Sequence, residues 1–488
     1  MNRIAPRTVL TTLALAISGL LMAATGGTPA TVAKPKVDVH AAASFGSPTV
    51  TTLRNNATVS VVGQEGLWFK LALDGGQTGY VRVNEVRVAY GKSDNGGVGA
   101  ALFTGNAGRG RTTETASVRG LDESQLKSAG FNAAQLERME SYRASTQDAQ
   151  REAARLGWVA TSVPYAAEFK PDASRGGSEA NRGSTRTGLR ALGGLLGGLG
   201  GGAAGSAASA AADHSDAIVG KSDAEVLQEE LELGPMLAGR ILGAAPLVND
   251  PAMQRRVNLV GRWLASQTSR PDLPWTFGVI DDGEINAFAA PGGYILITKG
   301  LYQLLSSDAE LAAVLGHELS HVVQRDHYEV IRKQELQAAG RDVALSQVHT
   351  GGGLAGSMVR DFIERNGAAI MMTQLDRNAE FRADQAAGIY LARGGLNPLE
   401  FYMVLQKMAS LGSSSSRLAS LYKTHPSLDK RLDALDRRGY ADLQAYLDRT
   451  DGTSMPQDSG KPEAQCAPSR SRGRGARANR DCTPQAGG

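Results

Sequence analysis

The stretch "SDAELAAVLGHELSHVVQ", from Ser307 to Gln324, contains two histidines four residues apart with a glutamate between them. Ser307 followed three residues later by Glu310 is typical of the start of a helix. Apolar residues then recur at helical spacing, so one face of the helix is expected to be buried. His317 and His321 project from the same side of that helix, one turn apart, so both imidazoles can reach one metal ion.

A catalytic zinc site needs a third protein ligand, and the sequence offers two candidates. His327 lies six residues after His321, but reaching the metal would require a helix break, and "HVVQRDH" contains no glycine or proline. Glu380 and Asp384 share a predicted helix face in "LDRNAEFRADQAAGIYLA", among apolar residues, although an exposed acidic pair is the alternative. We predict that Glu380 is the third ligand and that Asp384 holds a ligand histidine in place. His327 is then a solvated helix end.

Glu318 has the position expected of a general base. It is rotated by about 100° from His317 on the helix, beside the metal position and too short to be a ligand. A carboxylate there can take a proton from water and deliver it to a leaving amine. The sequence thus predicts one zinc ion per chain and metal-assisted hydrolysis.

The chain around this helix has the length and composition of a multidomain protein. Its 488 residues are enough for two or three domains, and 59 glycines are too many for one compact domain. A net charge of +3 is not that of a nucleic-acid-binding protein. Residues 1–30 are expected to form a secretory signal peptide, with cleavage between Ala23 and Ala33; an uncleaved membrane anchor is the alternative.

Residues 37–88 have alternating β-like runs separated by turns, which favours a small all-β barrel. The runs "VSVVGQEGLWFKL" and "GGQTGYVRV" resemble those of bacterial SH3-like domains. The resemblance implies a ligand that is peptidoglycan or a protein; a spacer without a ligand is the alternative.

Residues 89–222 are predicted to contain a helical pair, with Asp122 and Asn132 as N-caps, and then a glycine- and alanine-rich linker. The uncharged stretch from Ala191 to Ala212 is long enough to span a bilayer. Its glycines and alanines gain little hydrophobic free energy on transfer into lipid, so we expect no membrane contact. Residues 448–488 form an arginine-rich tail expected to be disordered. Its two cysteines, Cys466 and Cys482, could form a disulfide in an oxidising compartment.

Residues 223–447 have the composition of a folded, mainly helical α+β domain with a short sheet. The motifs "NAFAAPGGYILITKGL", "HELSH", "EFRAD" and "THPSLDKR" resemble, in this order, those of gluzincin peptidases of the HtpX and CAAX-prenyl-protease type, metallopeptidase family M forty-eight. The resemblance implies a periplasmic zinc endopeptidase that cleaves misfolded or envelope proteins. Two other functions remain open, an envelope chaperone or scaffold with latent proteolysis, and a cell-wall-binding protein.

The same resemblance implies substrate contacts. The strand after the glycine pair would lie at the sheet edge and pair with an extended substrate, or else be an ordinary core strand. The predicted substrate-binding residues are Asn286, Gly292, Gly293, Tyr294 and Ile295.

"THPSLDKR" places His425 and Arg431 at a turn that opens a helix. Either side chain could stabilise the oxyanion of the reaction as a catalytic residue. His425 could instead occupy the open zinc position and keep the enzyme latent. The remaining alternative is a helix cap with a structural histidine and arginine.

Overall fold

The computed structural model describes residues 27–88, 121, 123–170, 222–345, 371, 374–412, 415–440 and 443–447. Residues 27–88 belong to one compact unit, and those from 121 onward belong to a second. The signal peptide up to residue 26, the linker at 171–221, and the tail with Cys466 and Cys482 lie outside the described residues, so they remain predictions.

The first unit is a seven-stranded antiparallel sheet. Its strands are β1 (Thr28–Val32), β2 (Lys36–His40), β3 (Thr49–Arg54), β4 (Thr58–Glu65), β5 (Trp68–Ala72), β6 (Thr78–Arg82) and β7 (Val86–Val88). Their order is β3-β2-β6-β5-β4-β1-β7. The all-β prediction is confirmed, but the described strands do not close into a barrel, because the end strands β3 and β7 do not pair with each other.

Strand β1 extends the sheet beyond the predicted boundary at residue 37. It pairs with both β4 and β7, and Ala30 and Val32 are buried. The predicted end of the signal peptide, residue 30, therefore falls inside a strand. Small residues in "TPATV" are compatible with a cleavage site and with a strand, and the sequence alone did not separate the two.

The second unit is mainly helical with one small sheet. Its helices are α1 (Glu123–Ser128), α2 (Ala133–Ser141), α3 (Thr146–Arg155), α4 (Asp223–Ala244), α5 (Pro251–Ala265), α6 (Lys299–Leu304), α7 (Asp308–Val323), α8 (Asp326–Leu345), α9 (Arg377–Arg393), α10 (Leu399–Ala409), α11 (Ala419–Thr424), α12 (Leu428–Ala434) and α13 (Gln444–Leu447). Its strands are β8 (Thr276–Ile280), β9 (Ala287–Ala290) and β10 (Tyr294–Thr298). Within the described residues, no helix is both long and apolar enough to cross a membrane.

The predicted helical pair is part of this second unit, and it is three helices rather than two. Asn132 caps α2 as predicted, but the second helix of the pair is divided in two, and Ser145 caps α3 separately. Leu126 and Met139 are fully buried in the same hydrophobic core as Leu237. The boundary predicted at residue 223 thus separates helices that share one core.

Strand β10 lies in the middle of the small sheet, so the prediction that it forms the edge is wrong. It pairs in parallel with β8 and antiparallel with β9, which uses its hydrogen-bonding groups on both sides. The outer strand next to it is β9. The residues between these two strands form a tight turn in which Gly292 and Gly293 both have positive φ.

In helix α7, which carries the histidine motif, every residue except Ala309 is buried, so burial is not confined to one face. It packs against α5, α9, α10 and β9. Ser307 caps it by accepting a hydrogen bond from the Glu310 backbone N–H, as predicted. The Glu310 carboxylate binds the ammonium of Lys407 on α10 at 2.6 Å, so a buried ion pair ties the start of α7 to α10.

Candidate metal centre

Four buried side chains converge on one point between α7, α9 and the end of α11. They are His317, His321, Glu380 and His425, and each offers a ligand atom within 4.8 Å of the others. The Nε2 atoms of His317 and His321 lie 3.2 Å apart. Glu380 carboxylate oxygens lie 3.7 Å from Nε2 of His317 and 3.8 Å from Nε2 of His321.

The close approach of α7 and α9 brings these groups together. Gly316 precedes His317, and a Cβ built on it would lie 3.3 Å from the Cα of Ala387. The absence of a side chain at Gly316 therefore lets the two helix backbones approach. That approach places Glu380, one turn into α9, opposite both histidines.

The donor set fits a zinc ion. Both carboxylate oxygens of Glu380 are buried and have no hydrogen-bond partner. A buried carboxylate without a donor is costly unless a cation binds it. Burial accordingly raises the pKa of Glu380 to about 7. Imidazole nitrogens and one carboxylate are the ligands that zinc favours in catalytic sites.

Three residues contact His317 and fix the orientation of its ring. Its Nδ1 lies 3.0 Å from Asp384, as predicted for a supporting carboxylate, and Asp384 also accepts from Arg431 at 2.6 Å. Burial opposes ionisation of Asp384, but the Arg431 charge and the hydrogen bond from His317 lower its pKa to about 2. Phe401 of α10 stacks on the His317 ring with centroids 5.6 Å apart. Burial lowers the pKa of His317 to about 3, so the ring is neutral, as a metal ligand must be.

His321 has a separate support. Its Nδ1 lies 2.9 Å from the carboxylate of Asp326, the first residue of α8. Burial disfavours the protonated, charged form of the ring. The hydrogen bond to Asp326 and the negative charge of Glu380 favour that form more strongly. Together they raise the pKa of His321 to about 9.

Glu318 lies on the same helix, between the two histidines in sequence, and is 5% exposed. Burial raises its pKa above the usual value, which makes it a stronger base. His327 differs from the prediction, because it is buried rather than solvated. Its ring centroid lies 6.1 Å from that of His321, and it is outside the four-residue group.

His425 approaches the group from the C-terminal end of α11. Its Nε2 lies 3.8 Å from a Glu380 oxygen, and its Nδ1 lies 2.8 Å from the Thr424 hydroxyl. The ring therefore presents Nε2 to the metal position.

The geometry does not support an oxyanion role for Arg431. Its guanidinium is bound by Asp384 and lies on the Nδ1 side of His317, away from the metal-facing Nε2. A donor to the reacting carbonyl would have to lie on the Nε2 side. In this arrangement Arg431 supports Asp384.

The five predicted substrate-binding residues are all buried in this conformation, so their contact with a substrate stays a prediction. They are Asn286, Gly292, Gly293, Tyr294 and Ile295. Asn286 donates to the Ser420 hydroxyl of α11 at 2.9 Å, and the Tyr294 hydroxyl donates to Glu140 of α2. These side chains join elements of the fold instead of facing a cleft.

Three residues of the site were not predicted from the sequence: Asp326, Arg382 and Phe401. Asp326 follows His321 by five residues in "HVVQRDH", and a carboxylate that close to a ligand histidine is a usable clue. Arg382, which donates a hydrogen bond to Asp326, lies between Glu380 and Asp384 in "EFRAD". Phe401 comes from another helix, and no local pattern indicates its contact with His317.

Known proteins match both units of the chain. Residues 251–439 match the family described as Peptidase family M48, and residues 35–86 match the Bacterial SH3 domain. The beta-barrel assembly-enhancing protease of Escherichia coli is 30% identical over 216 residues, covering 43% of this chain and 44% of that protein.

Two further relatives match shorter stretches of the chain. The mitochondrial metalloendopeptidase OMA1 of Arabidopsis thaliana is 31% identical over 185 residues, 38% of this chain and 36% of that protein. The metalloprotease LoiP of Escherichia coli is 27% identical over 169 residues, 35% of this chain and 64% of that protein. This chain thus spans less than two thirds of each of these relatives. Residues 251–439 therefore form a domain that matches Peptidase family M48, and the segment that matches the bacterial SH3 domain, residues 35–86, precedes it.

Proposed function

We propose that the protein is a zinc endopeptidase that cleaves misfolded or envelope proteins in the periplasm. The observation that carries the proposal is the buried group of His317, His321 and Glu380. Glu318 lies on the same helix as the two histidines. The family match and the names of the relatives support peptide bonds as the target. The predicted signal peptide supports the periplasm.

His317, His321 and Glu380 would hold the zinc ion. The ion, when bound, would polarise the scissile carbonyl and make a water molecule more acidic. Glu318 would accept a proton from that water and deliver it to the leaving nitrogen, a role suited to a buried carboxylate with a raised pKa. Asp384 would hold His317 in orientation through Nδ1.

An extended substrate would pair with β9, the outer strand of the small sheet. β9 bonds to β10 on one side, and no second strand pairs with it among the described residues. Its four residues are buried in this conformation, so substrate entry would require local movement near α11. The SH3 domain would supply a second contact, to a protein or to peptidoglycan.

The test is cleavage of casein by the purified full chain. We expect about one zinc per chain, loss of cleavage after chelation, and recovery after zinc is added back. Glu318→Gln should keep the zinc and lower cleavage by about 10²-fold or more, because the amide is nearly isosteric but cannot accept the proton. Wild-type rates in zinc-replete Glu318→Gln would contradict the mechanism.

The position of His425 supports a resting state in which the peptidase is latent. Its Nε2 lies where a fourth ligand to the ion would be, which would exclude water until substrate moves α11. His425→Ala should therefore raise basal casein cleavage or cause self-cleavage. A fall of about 10²-fold with zinc retained would instead identify His425 as an oxyanion donor. If neither the wild type nor His425→Ala cleaves casein or itself, the scaffold function is the better explanation.

A further inference from the structure

Asp326 and Arg382 form a support for His321 to which the mechanism above gives no role. Asp326 begins α8, and its Oδ2 lies 2.9 Å from Nδ1 of His321. Its Oδ1 accepts a hydrogen bond from Arg382 of α9 at 2.5 Å. The Asp326 side chain is 8% exposed. Both oxygens of one buried carboxylate are thus used, one on the histidine and one on a guanidinium.

The backbone between α7 and α8 is shaped to place this carboxylate. Arg325 has φ of 63°, in the left-handed region that residues with a side chain seldom adopt. This conformation ends α7 and turns the chain so that the next residue, Asp326, reaches back to the last turn of α7. The Arg325 side chain is held by Glu230 at 3.0 Å and Asp223 at 2.5 Å. Contacts outside the metal centre therefore stabilise the turn.

The arrangement repeats the one behind the other histidine. His317 has Asp384 and Arg431, and His321 has Asp326 and Arg382. A carboxylate at Nδ1 keeps a proton on that nitrogen, so Nε2 is free to bind a metal. The guanidinium in turn favours the ionised carboxylate. Two neighbouring histidines are therefore oriented by two independent carboxylate–guanidinium pairs.

We propose that Asp326 is a positioning residue that, with Arg382, fixes the tautomer and orientation of His321 for metal binding. The proposal rests on the zinc site of the proposed function and adds a determinant of its affinity. It assigns Asp326 no contact with substrate or metal.

The experiment measures zinc affinity of the full chain by competition with a chelator, and the melting temperature of the zinc-free chain. We expect Asp326→Ala to raise the zinc dissociation constant about 10- to 100-fold. Asp326→Asn should have a smaller effect, because the amide oxygen can still accept from Nδ1 but carries no charge. Asp281→Ala is the matched control, since Asp281 makes an exposed ion pair with Lys299.

Zinc affinity separates a positioning role from a purely structural one. An affinity of Asp326→Ala within about twofold of wild type, or a lower melting temperature with unchanged affinity, would overturn the proposal. If Asp326→Ala does not fold, the zinc affinities of Asp326→Asn and Arg382→Gln test the proposal instead. Wild-type affinity in both variants would overturn the proposal. Casein cleavage is not part of the readout. A chain that binds zinc but cleaves nothing would refute the proposed function while still testing this inference.

Discussion

Glu380 combines two properties that a structural residue would not have. Its carboxylate is fully buried, and neither oxygen has a hydrogen-bond donor. Three imidazoles surround it instead. We predict that Glu380→Ala loses most of the bound zinc, measured by elemental analysis after gel filtration, because the site loses its carboxylate, the one anionic group among the three predicted ligands.

His327→Ala is the matched variant for that experiment. His327 is also buried and lies close to His321, but it is not one of the four converging residues. We expect His327→Ala to keep its zinc. Retention of zinc by Glu380→Ala together with loss from His327→Ala would reverse the assignment of the third ligand.

The pKa values of the ligands predict how zinc affinity depends on pH. His321 has a pKa of about 9 and Glu380 a pKa of about 7, both raised, so each carries a proton over a wider pH range than usual. Zinc must displace those protons, so affinity should fall as pH decreases from 9 to 6. Each displaced proton contributes about tenfold per pH unit below the pKa of its group. Affinity that is independent of pH in a chelator titration would contradict these protonation states.

The convergence of the predicted ligands was predictable from sequence because each pair of residues lies on one helix. His317 and His321 share α7, and Glu380 and Asp384 share α9, so a spacing of four residues puts both members of a pair on one face. The side of His317 that Arg431 faces was not predictable, because it depends on how α12 packs. The contact of Phe401 with His317 was missed because it depends on how α10 packs against α7.

At the scale of elements, the contact between α2 and α4 depends on the absence of two side chains. A Cβ on Gly239 would lie 2.2 Å from the Phe131 ring, and a Cβ on Gly243 would lie 1.9 Å from the carbonyl oxygen of Gly130. Asn132, at the start of α2, donates its backbone N–H to the Gly239 carbonyl. The turn before α2 therefore lies directly against the backbone of α4.

We predict that Gly243→Ala lowers the melting temperature. Alanine in a helix usually adds about 0.5–1 kcal/mol of stability relative to glycine, but the clash here requires a backbone shift that costs about 1–3 kcal/mol. Thermal unfolding followed by circular dichroism measures the net effect. Gly130→Ala is the control, because its Cβ would have nothing within 4 Å. A higher melting temperature for Gly243→Ala would show that the turn does not dock as described.

Sequence patterns predicted a short sheet but not the order of its strands. The runs at Thr276–Ile280 and Tyr294–Thr298 are mostly apolar, and both are buried throughout, as in strands covered on both faces. Such runs do not indicate which strand is central. The antiparallel return of β9 and the parallel pairing with β8 are long-range contacts, and they decide that β10 is in the middle.

At the scale of the whole molecule, the glycine- and alanine-rich segment divides the sequence of the second unit but not its core. Leu126, Leu136 and Met139 precede the segment, and Val226 and Leu237 follow it, yet all five belong to one buried cluster. Composition predicted a domain boundary at this segment. A change in composition shows where the chain becomes linker-like. It does not show whether the helices before and after the linker pack together.

That shared core determines what a break in the linker would do. A single cut between residues 171 and 221 removes one covalent connection but none of the contacts among α1–α3, α4 and α5. The two fragments should stay associated as a noncovalent complementation pair and run as one species on gel filtration. They would separate only on a denaturing gel. A native gel-filtration size equal to that of the full chain is therefore compatible with a linker that the protein has already cut.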